Sequence, residues 1–90
     1  MLKPRFTGPF KRERKRMQKR GKDIHKLTEV MGLIIAEKPL PPERHNHLLR
    51  GVWEGTFECH IEPNWLLIYE IDGTHKEVTF HRTGTHSDLF

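Results

Sequence analysis

The chain has little cysteine and no long apolar run. Its single cysteine, Cys59, excludes a framework of internal disulfides and a zinc site built from four cysteines. No apolar stretch approaches the roughly 18 residues that a membrane-spanning helix requires. The first residues also lack the apolar segment of a secretory signal. We therefore expect a cytoplasmic protein in a reducing environment, without a membrane anchor.

Positive and negative charges are distributed unevenly along the 90 residues. Residues 1–22 contain ten lysines and arginines against one acid, a formal charge of +9, whereas residues 23–90 carry −5. The net charge of +4 hides this asymmetry. A basic segment on a mildly acidic body predicts a polyanionic partner, either a nucleic acid or an acidic protein segment.

Hydrophobic periodicity divides the chain into a helical part and a sheet-forming part. Residues 7–37 are predicted to form two helices joined at Gly21, and a proline-rich link ends the second helix. Residues 44–90 are predicted to form the sheet and a polar C-terminal tail. The predicted fold class is α+β, with the N-terminal helix hairpin packed on one face of a small, mainly antiparallel sheet. Residues 1–90 are expected to make a single domain, with the other face of the sheet partly open.

The strongest strand signal surrounds a turn at Pro63-Asn64. Residues 57–62 alternate between apolar and polar side chains, which places His60 on the outward face. Residues 65–71 are apolar on both parities except at one position, as in a central strand covered on both faces. An outward histidine beside such a strand is a candidate for chemistry.

The last strand is predicted over residues 76–82, and its alternation raises a conflict. Val78 and Phe80 point toward the core, and strict alternation sends Arg82 the same way. Arg82 reaches the outward face only if the strand ends or bulges before it. If the alternation is unbroken, His81 is the better candidate on that face.

Seven histidines are present, and six of them lie from residue 45 onward: His45, His47, His60, His75, His81 and His86. They fit four interpretations, namely solvated surface residues, metal ligands, acid–base catalysts, or contacts to phosphate and bases. Metal binding is disfavoured because the chain lacks an HExxH motif and paired cysteines. Imidazole titrates near neutral pH, as acid–base catalysis requires.

Cations and aromatic rings accompany these histidines, among them Arg82, Trp65 and Phe90. Such a set suits the cleavage of RNA without a metal. A base takes the 2′-OH proton, a cation stabilises the phosphorane, and an acid protonates the 5′-oxygen that leaves. Residue types alone do not single out this chemistry. Trp65 also fits the core, whereas Phe90 follows a polar tail and fits a functional contact.

Three segments together resemble the YafQ toxins, which belong to the RelE-like superfamily of bacterial type II toxin–antitoxin systems. They are residues 47–53 (HLLRGVW), residues 60–69 (HIEPNWLLIY) and residues 82–90 (RTGTHSDLF). The resemblance covers nearly the whole chain, and the combination of the terminal motif with the HxEPxW turn is specific.

This resemblance implies a microbial-RNase-like α+β fold and an endoribonuclease that needs neither metal nor cofactor and cuts mRNA in the ribosomal A site. It implies three kinds of partner. These are a cognate antitoxin of the DinJ or RelB type, the 70S ribosome with its mRNA, and operator DNA reached only through the antitoxin complex.

The resemblance also implies roles for individual residues. His86 corresponds to the general acid, and Arg82 corresponds to the arginine that stabilises the phosphate. His60 and His47 correspond to catalytic histidines, one of which is the candidate general base. Two aromatic residues are implied to shape the site, Trp65 and Phe90.

Asn64 departs from the family pattern, which commonly has aspartate at this position. An amide cannot accept a proton as a carboxylate does, and it cannot hold an imidazolium by charge. We expect a histidine base, His60 or His47, with Asn64 acting through hydrogen bonds. The alternative is a catalytically weak or inactive relative that binds RNA or antitoxin.

The basic first helix is either a solvated surface or a contact for ribosomal RNA, whose backbone attracts clustered lysine and arginine. An acidic antitoxin segment would compete for this surface or plug the histidine site. The positions that carry the basic face are Lys11, Arg12, Lys15, Arg16 and Lys19.

Overall fold

The computed structural model describes residues 1–90, with three helices and one five-stranded sheet. The helices are α1 (Gly8–Lys19), α2 (Ile24–Ile35) and α3 (His86–Leu89). The strands are β1 (Lys3–Phe6), β2 (His47–Leu48), β3 (Phe57–Glu62), β4 (Trp65–Asp72) and β5 (Glu77–Gly84). Their order in the sheet is β1-β5-β4-β3-β2, with β1 parallel to β5 and all other pairs antiparallel. The predicted fold class is confirmed.

Both long helices begin at capping side chains. The Thr7 hydroxyl accepts a hydrogen bond from the Phe10 backbone N–H at 3.1 Å, and the Asp23 carboxylate accepts one from the His25 N–H at 3.0 Å. The chain reverses between the helices at Gly21, where φ is +84°, a conformation that favours glycine. Local side-chain chemistry thus sets both starts and the reversal.

The helices cover one face of the sheet and bury the main core there. The helical contribution comes from Phe10, Met17, Leu27, Val30, Met31 and Ile34. The sheet contributes Cys59, Ile61, Trp65, Leu67, Tyr69, Val78 and Phe80. Burial raises the pKa of the Cys59 thiol to about 12, so the thiol stays protonated and unreactive at neutral pH. None of the helices is both long and apolar enough to span a membrane.

The opposite face is only partly covered, as predicted. Leu66, Ile68 and Leu89 form a second small cluster, and Leu49 and Trp53 pack against its edge. The C-terminal segment, predicted to be a polar tail, instead folds into α3 and packs Leu89 against the sheet. A capping box between Thr85 and Asp88 starts this short helix.

A bulge in β5 resolves the conflict over Arg82. Tyr69 pairs with Phe80 and Ile68 pairs with Arg82, so His81 is an extra residue between the two pairs. Arg82 therefore lies opposite Ile68, on the face away from the main core. Of the outcomes that the alternation left open, the structure has the bulge before Arg82. The strand β5 continues to Gly84 rather than ending at residue 82, because its pairing with β4 persists beyond the bulge.

Candidate active site

Three predicted site residues form a row of rings on the open face. The ring centroids of His60 and His86 are 6.0 Å apart, and those of His86 and Phe90 are 6.5 Å apart. His45 extends the row, with its ring 5.3 Å from that of His60. Strand β3 carries His60, and helix α3 carries His86. The row thus joins residues that are distant in the sequence.

A buried carboxylate connects the two candidate bases. The Glu58 side chain is only 8% exposed, and its Oε1 lies 3.5 Å from His47 Nε2 and 3.7 Å from His60 Nε2. Glu58 and His47 are direct partners across β2 and β3. An imidazolium formed on either ring would lie beside this carboxylate and be stabilised by its charge. Sequence reasoning missed Glu58 as a functional residue, although its parity on the strand matched that of His60.

Backbone contacts fix the orientation of His47. Its Nδ1 lies 2.7 Å from the His45 carbonyl oxygen, which can only accept, so Nδ1 is the donor. Its Nε2, on the side of Glu58, is then the atom that can take up a proton. The hydroxyl of Tyr69 donates to Asn46 Oδ1 at 2.6 Å and anchors this segment to the sheet.

Asn64 holds His86 by two contacts to its amide oxygen. Asn64 Oδ1 accepts from the His86 backbone N–H at 3.1 Å and lies 3.0 Å from His86 Nδ1. Because an amide oxygen only accepts, Nδ1 carries a hydrogen and Nε2 is the ring atom left for proton transfer. This geometry agrees with the expectation that Asn64 acts through hydrogen bonds.

The helix that carries His86 is clamped to α1. Arg20 donates to both carboxylate oxygens of Asp88, at 2.7 and 3.1 Å. These bonds and the backbone N–H of Thr85 hold the pKa of the Asp88 carboxyl well below its usual range. The position of His86 therefore depends on the C-terminal end of the basic helix.

Arg82 is bound to a glutamate of α1 rather than to the histidines. Its Nε lies 2.8 and 2.9 Å from the two Glu13 oxygens, and its Nη2 donates to Glu13 Oε2 at 2.5 Å. Hydrogen bonding to Glu13 raises the pKa of Arg82, and the nearby charge of Asp88 adds to this. No hydrogen bond joins Arg82 to His60 or His86. Sequence reasoning did not identify Glu13 as a partner of the site. The available signal was that Glu13 is the one acidic residue among residues 1–22.

Trp65 lies wholly in the main core, not among the histidines. Its indole Nε1 donates to Thr83 Oγ1 at 2.9 Å, and the Thr83 backbone N–H is directed at Glu13 Oε1, 3.3 Å away. Trp65 therefore makes no direct contact with the histidine rings, and its contribution to the shape of the site stays a prediction.

A polar cleft of about 680 Å³ opens beside His60. Its walls come from the turn before β2 and from the end of β3, and they comprise Glu43, Arg44, His45, His47, His60, Ile61, Glu62 and Pro63. No three histidine, cysteine or acidic side chains are grouped so as to hold a metal ion.

The predicted basic positions of α1 all lie on its exposed surface. None of them takes part in an ion pair, so their charges face solvent. They are Lys11, Arg12, Lys15, Arg16 and Lys19.

A helix hairpin packed on one face of a small, mainly antiparallel sheet is the α+β fold of the RelE-like bacterial toxins. Within that class, the sequence model described as "Bacterial toxin of type II toxin-antitoxin system, YafQ" matches residues 2–90. The chain belongs to this family, which confirms the resemblance seen in the sequence.

Individual relatives are similar over nearly their full length. The "mRNA interferase toxin YafQ" of Escherichia coli K12 is 43% identical over 86 residues, covering 94% of this chain and 91% of that protein. YafQ in an E. coli DinJ–YafQ complex superposes with a TM-score of 0.92 at 40% identity, covering 100% of this chain and 99% of the other. A metal-bound toxin from Helicobacter pylori superposes with a TM-score of 0.94 at 34% identity, covering all of both chains.

Proposed function

We propose that residues 1–90 form a single toxin domain with mRNA interferase activity, which cleaves mRNA in the ribosomal A site without a metal or other cofactor. The observation that carries the proposal is the pairing of His60 with His86. Each ring has an oxygen partner, Glu58 or Asn64, and their centroids are 6.0 Å apart. Two imidazoles so placed can serve as base and acid on opposite sides of one phosphate.

In the proposed reaction His60 is the general base. Its side chain is 19% exposed, against 51% for His47, and its ring is the nearer one to His86. His60 removes the 2′-OH proton, and the 2′-oxygen forms a bond to phosphorus. Glu58 stabilises the resulting imidazolium. His47 shares this carboxylate and is the alternative base.

The leaving group is protonated by His86. As the bond from phosphorus to the 5′-oxygen breaks, His86 Nε2 supplies a proton to that oxygen. The products are a 2′,3′-cyclic phosphate and a free 5′-hydroxyl. Arg82 stabilises the charge of the phosphorane through Nη1, which is not engaged by Glu13. Phe90 offers a ring on which a nucleobase of the mRNA can stack.

The proposed partners follow from family membership and from charge. A DinJ-like antitoxin neutralises the toxin, and operator DNA is reached only through that complex. The 70S ribosome and its mRNA are the substrate assembly, which places the activity in the cytoplasm. The exposed cations of α1 contact ribosomal RNA.

The test is primer extension on a defined message translated in a purified bacterial system. Discrete cuts that require ribosomes and the added protein support the proposal. Cleavage should persist with a chelator selective for transition metals while Mg²⁺ is kept at the level that ribosomes need. Loss of cleavage with the chelator, restored by Zn²⁺, would overturn metal independence.

Replacing Asn64 by aspartate should extend activity to higher pH. A carboxylate beside His86 Nδ1 favours the imidazolium, and a general acid works only while protonated. The descending limb of the pH–rate profile should therefore move upward by about one unit, the low end of what an adjacent opposite charge does. The measurement is the single-turnover cleavage rate between pH 6 and about pH 9.

Gln18→Glu makes the same amide-to-carboxylate change on the exposed surface of α1 and is the control. It should leave the profile in place. A limb that is unmoved or shifted downward in Asn64→Asp would contradict the assignment of His86 as the acid.

Neutralising one stripe of α1 should weaken ribosome binding and its dependence on salt. Changing three lysines to glutamine removes up to three phosphate contacts, so the slope of log affinity against log salt should become less steep by about 2. The lysines are Lys11, Lys15 and Lys19. The control carries the same changes at three exposed lysines outside α1, Lys3, Lys38 and Lys76, and an equal effect in both variants would contradict a specific role for α1.

A further inference from the structure

The cleft beside His60 contains an arginine that the proposed reaction does not use. Arg44 Nη1 donates to the Ile61 carbonyl at 2.7 Å, which fixes the guanidinium against the end of β3. Its Nε is buried without a hydrogen-bond acceptor. Leaving a buried N–H unpaired is destabilising, and such groups in folded proteins call for an explanation. Arg44 is thus held rigidly at the cleft at some expense of stability, and its Nη2, which makes no hydrogen bond within the protein, is the group left to contact a ligand.

His45 forms the wall of the cleft next to the catalytic row. Its φ is +49°, in the left-handed region that non-glycine residues seldom adopt. This conformation ends the turn Pro42–Arg44 and places the exposed ring 5.3 Å from that of His60. An exposed ring beside His60, the proposed general base, is a surface on which a nucleobase can stack.

The charges of the cleft favour a nucleobase over a second phosphate. Glu43 and Glu62 line the cleft together with Arg44. Lys22 and Lys26 neutralise Glu62, each through a 3.0 Å contact, whereas Glu43 is exposed and forms no ion pair. A phosphate at Arg44 would be repelled by the Glu43 carboxylate. A base with acceptors and donors on neighbouring atoms would satisfy both side chains.

Guanine has this pattern. Its O6 and N7 accept hydrogen bonds, as arginine requires, and its N1–H and amino group donate to a carboxylate. Adenine has one donor group, its amino group, and a single acceptor on either side of it, N7 or N1, so it pairs with each side chain through fewer hydrogen bonds than guanine does. At about 680 Å³ the cleft is large enough for a nucleotide.

We infer that this cleft selects a guanosine next to the cleaved bond, with Arg44 and Glu43 reading the base and His45 stacking on it. The inference rests on the proposed function, since it specifies the substrate of that site. Arg44 and Glu43 are specificity-determining residues in this assignment, and the histidines perform the cleavage.

The first test uses a message library in which each position of the A-site codon is varied, with cuts counted for each base. Guanine should be preferred over adenine at one position by about tenfold, near the low end of the discrimination that well-placed hydrogen bonds to a base give. Arg44→Gln should reduce this preference at least about fivefold while cleavage continues. The preference is a ratio within one sample, so a smaller folded fraction does not change it.

Two further variants sharpen the result. Arg5→Gln removes the same charge from β1, at the opposite edge of the sheet, and should keep the preference of the parent. His45→Asn retains a residue that tolerates the left-handed conformation but lacks the ring. It should raise the concentration needed for half-maximal cleavage and leave the preference for guanine in place. Equal preferences in the parent and in Arg44→Gln would overturn the inference and leave the proposed function intact.

A second test does not depend on cleavage. It distinguishes a failure of the guanosine site from a failure of the proposed function. The isolated protein is titrated with guanosine 3′-monophosphate and with adenosine 3′-monophosphate, and amide chemical shifts are followed by NMR. The guanosine nucleotide should shift the resonances of Ile61 and His45 at lower concentration than the adenosine nucleotide, and Arg44→Gln should abolish the difference. If the parent protein cuts no message, the proposed function fails first. No shift, or equal shifts with both nucleotides, overturns the guanosine site.

Discussion

Changing His86 to alanine is expected to slow single-turnover cleavage of ribosome-bound mRNA by about a thousandfold, within the usual contribution of a general acid. The 5′-oxygen must leave as a poor, unprotonated leaving group when no imidazolium is present. The side chain lies on the surface at the start of α3, so its removal opens no cavity in the core. Rapid-quench measurement of the cleaved fraction, with toxin in excess over stalled ribosomes, gives the rate directly.

Binding should survive this change. The backbone N–H of residue 86 still donates to Asn64, and α3 keeps its cap and its clamp to Arg20. Ribosome affinity is therefore expected to match that of the parent. His25→Ala, at an exposed position of α2, is the matched control and should cleave normally. Parent-like cleavage by the His86 variant would remove this residue from the mechanism. If the parent protein binds ribosomes without cutting mRNA, it is the catalytically inactive, RNA-binding relative, which is the alternative that Asn64 leaves open.

The second large effect is expected at Glu13. Glutamine at this position keeps the shape of the side chain but removes the negative charge that is hydrogen-bonded to the Arg82 guanidinium, leaving only the more distant charge of Asp88. Breaking a buried ion pair by removing one partner costs about 3–5 kcal/mol. The Arg82 side chain is 27% exposed, so solvent compensates in part, and we expect a loss of about 2 kcal/mol. For a domain of this size that lowers the melting temperature by roughly 8–16 °C.

Glu13→Gln should also slow the reaction, because a loosened Arg82 no longer points at a fixed position. We expect the rate at saturating toxin to fall about tenfold, with little change in half-saturation, since α1 keeps its exposed cations. Assays run well below the melting temperature of the variant separate this effect from unfolding. Glu29→Gln, an exposed change of the same kind on α2, is the control. A destabilised Glu13 variant that cleaves at the parent rate would show that Glu13 stabilises the fold without positioning Arg82.

Features set by local chemistry were predictable from the sequence. Thr7 and Asp23 cap helices through contacts within three residues, so a short window contains the whole signal. The apolar run after Asn64 identified the central strand because burial on both faces removes the polar alternation. The proximity of His60 and His86 was predictable only through the family resemblance, since no periodicity relates these two residues, and the position of His45 beside them was not predictable.

Features set by pairing across the fold were not predictable in the same way. The bulge at His81 depends on how β5 meets β4, and the alternation of β5 alone left two outcomes open. Glu13 and Arg82 are 69 positions apart, and nothing local marks them as partners. Glu58 reads as an ordinary outward residue of a strand until β2 brings His47 opposite it. Burial and partners, which decide the roles of these carboxylates, exist only in the folded chain.

The parallel pairing of β1 with β5 has a consequence for synthesis of the protein. β1 lies at the edge of the sheet with β5 as its one neighbour, and Lys3 is opposite Glu77. The ion pairs of α1 with residues 82 and 88 likewise span almost the whole chain. A nascent chain therefore cannot complete the sheet or the site until its last strand has emerged, and such distant contacts form slowly. On this topology, an enzyme proposed to attack translating ribosomes has no complete site of its own while its last strand is still inside the ribosome that makes it.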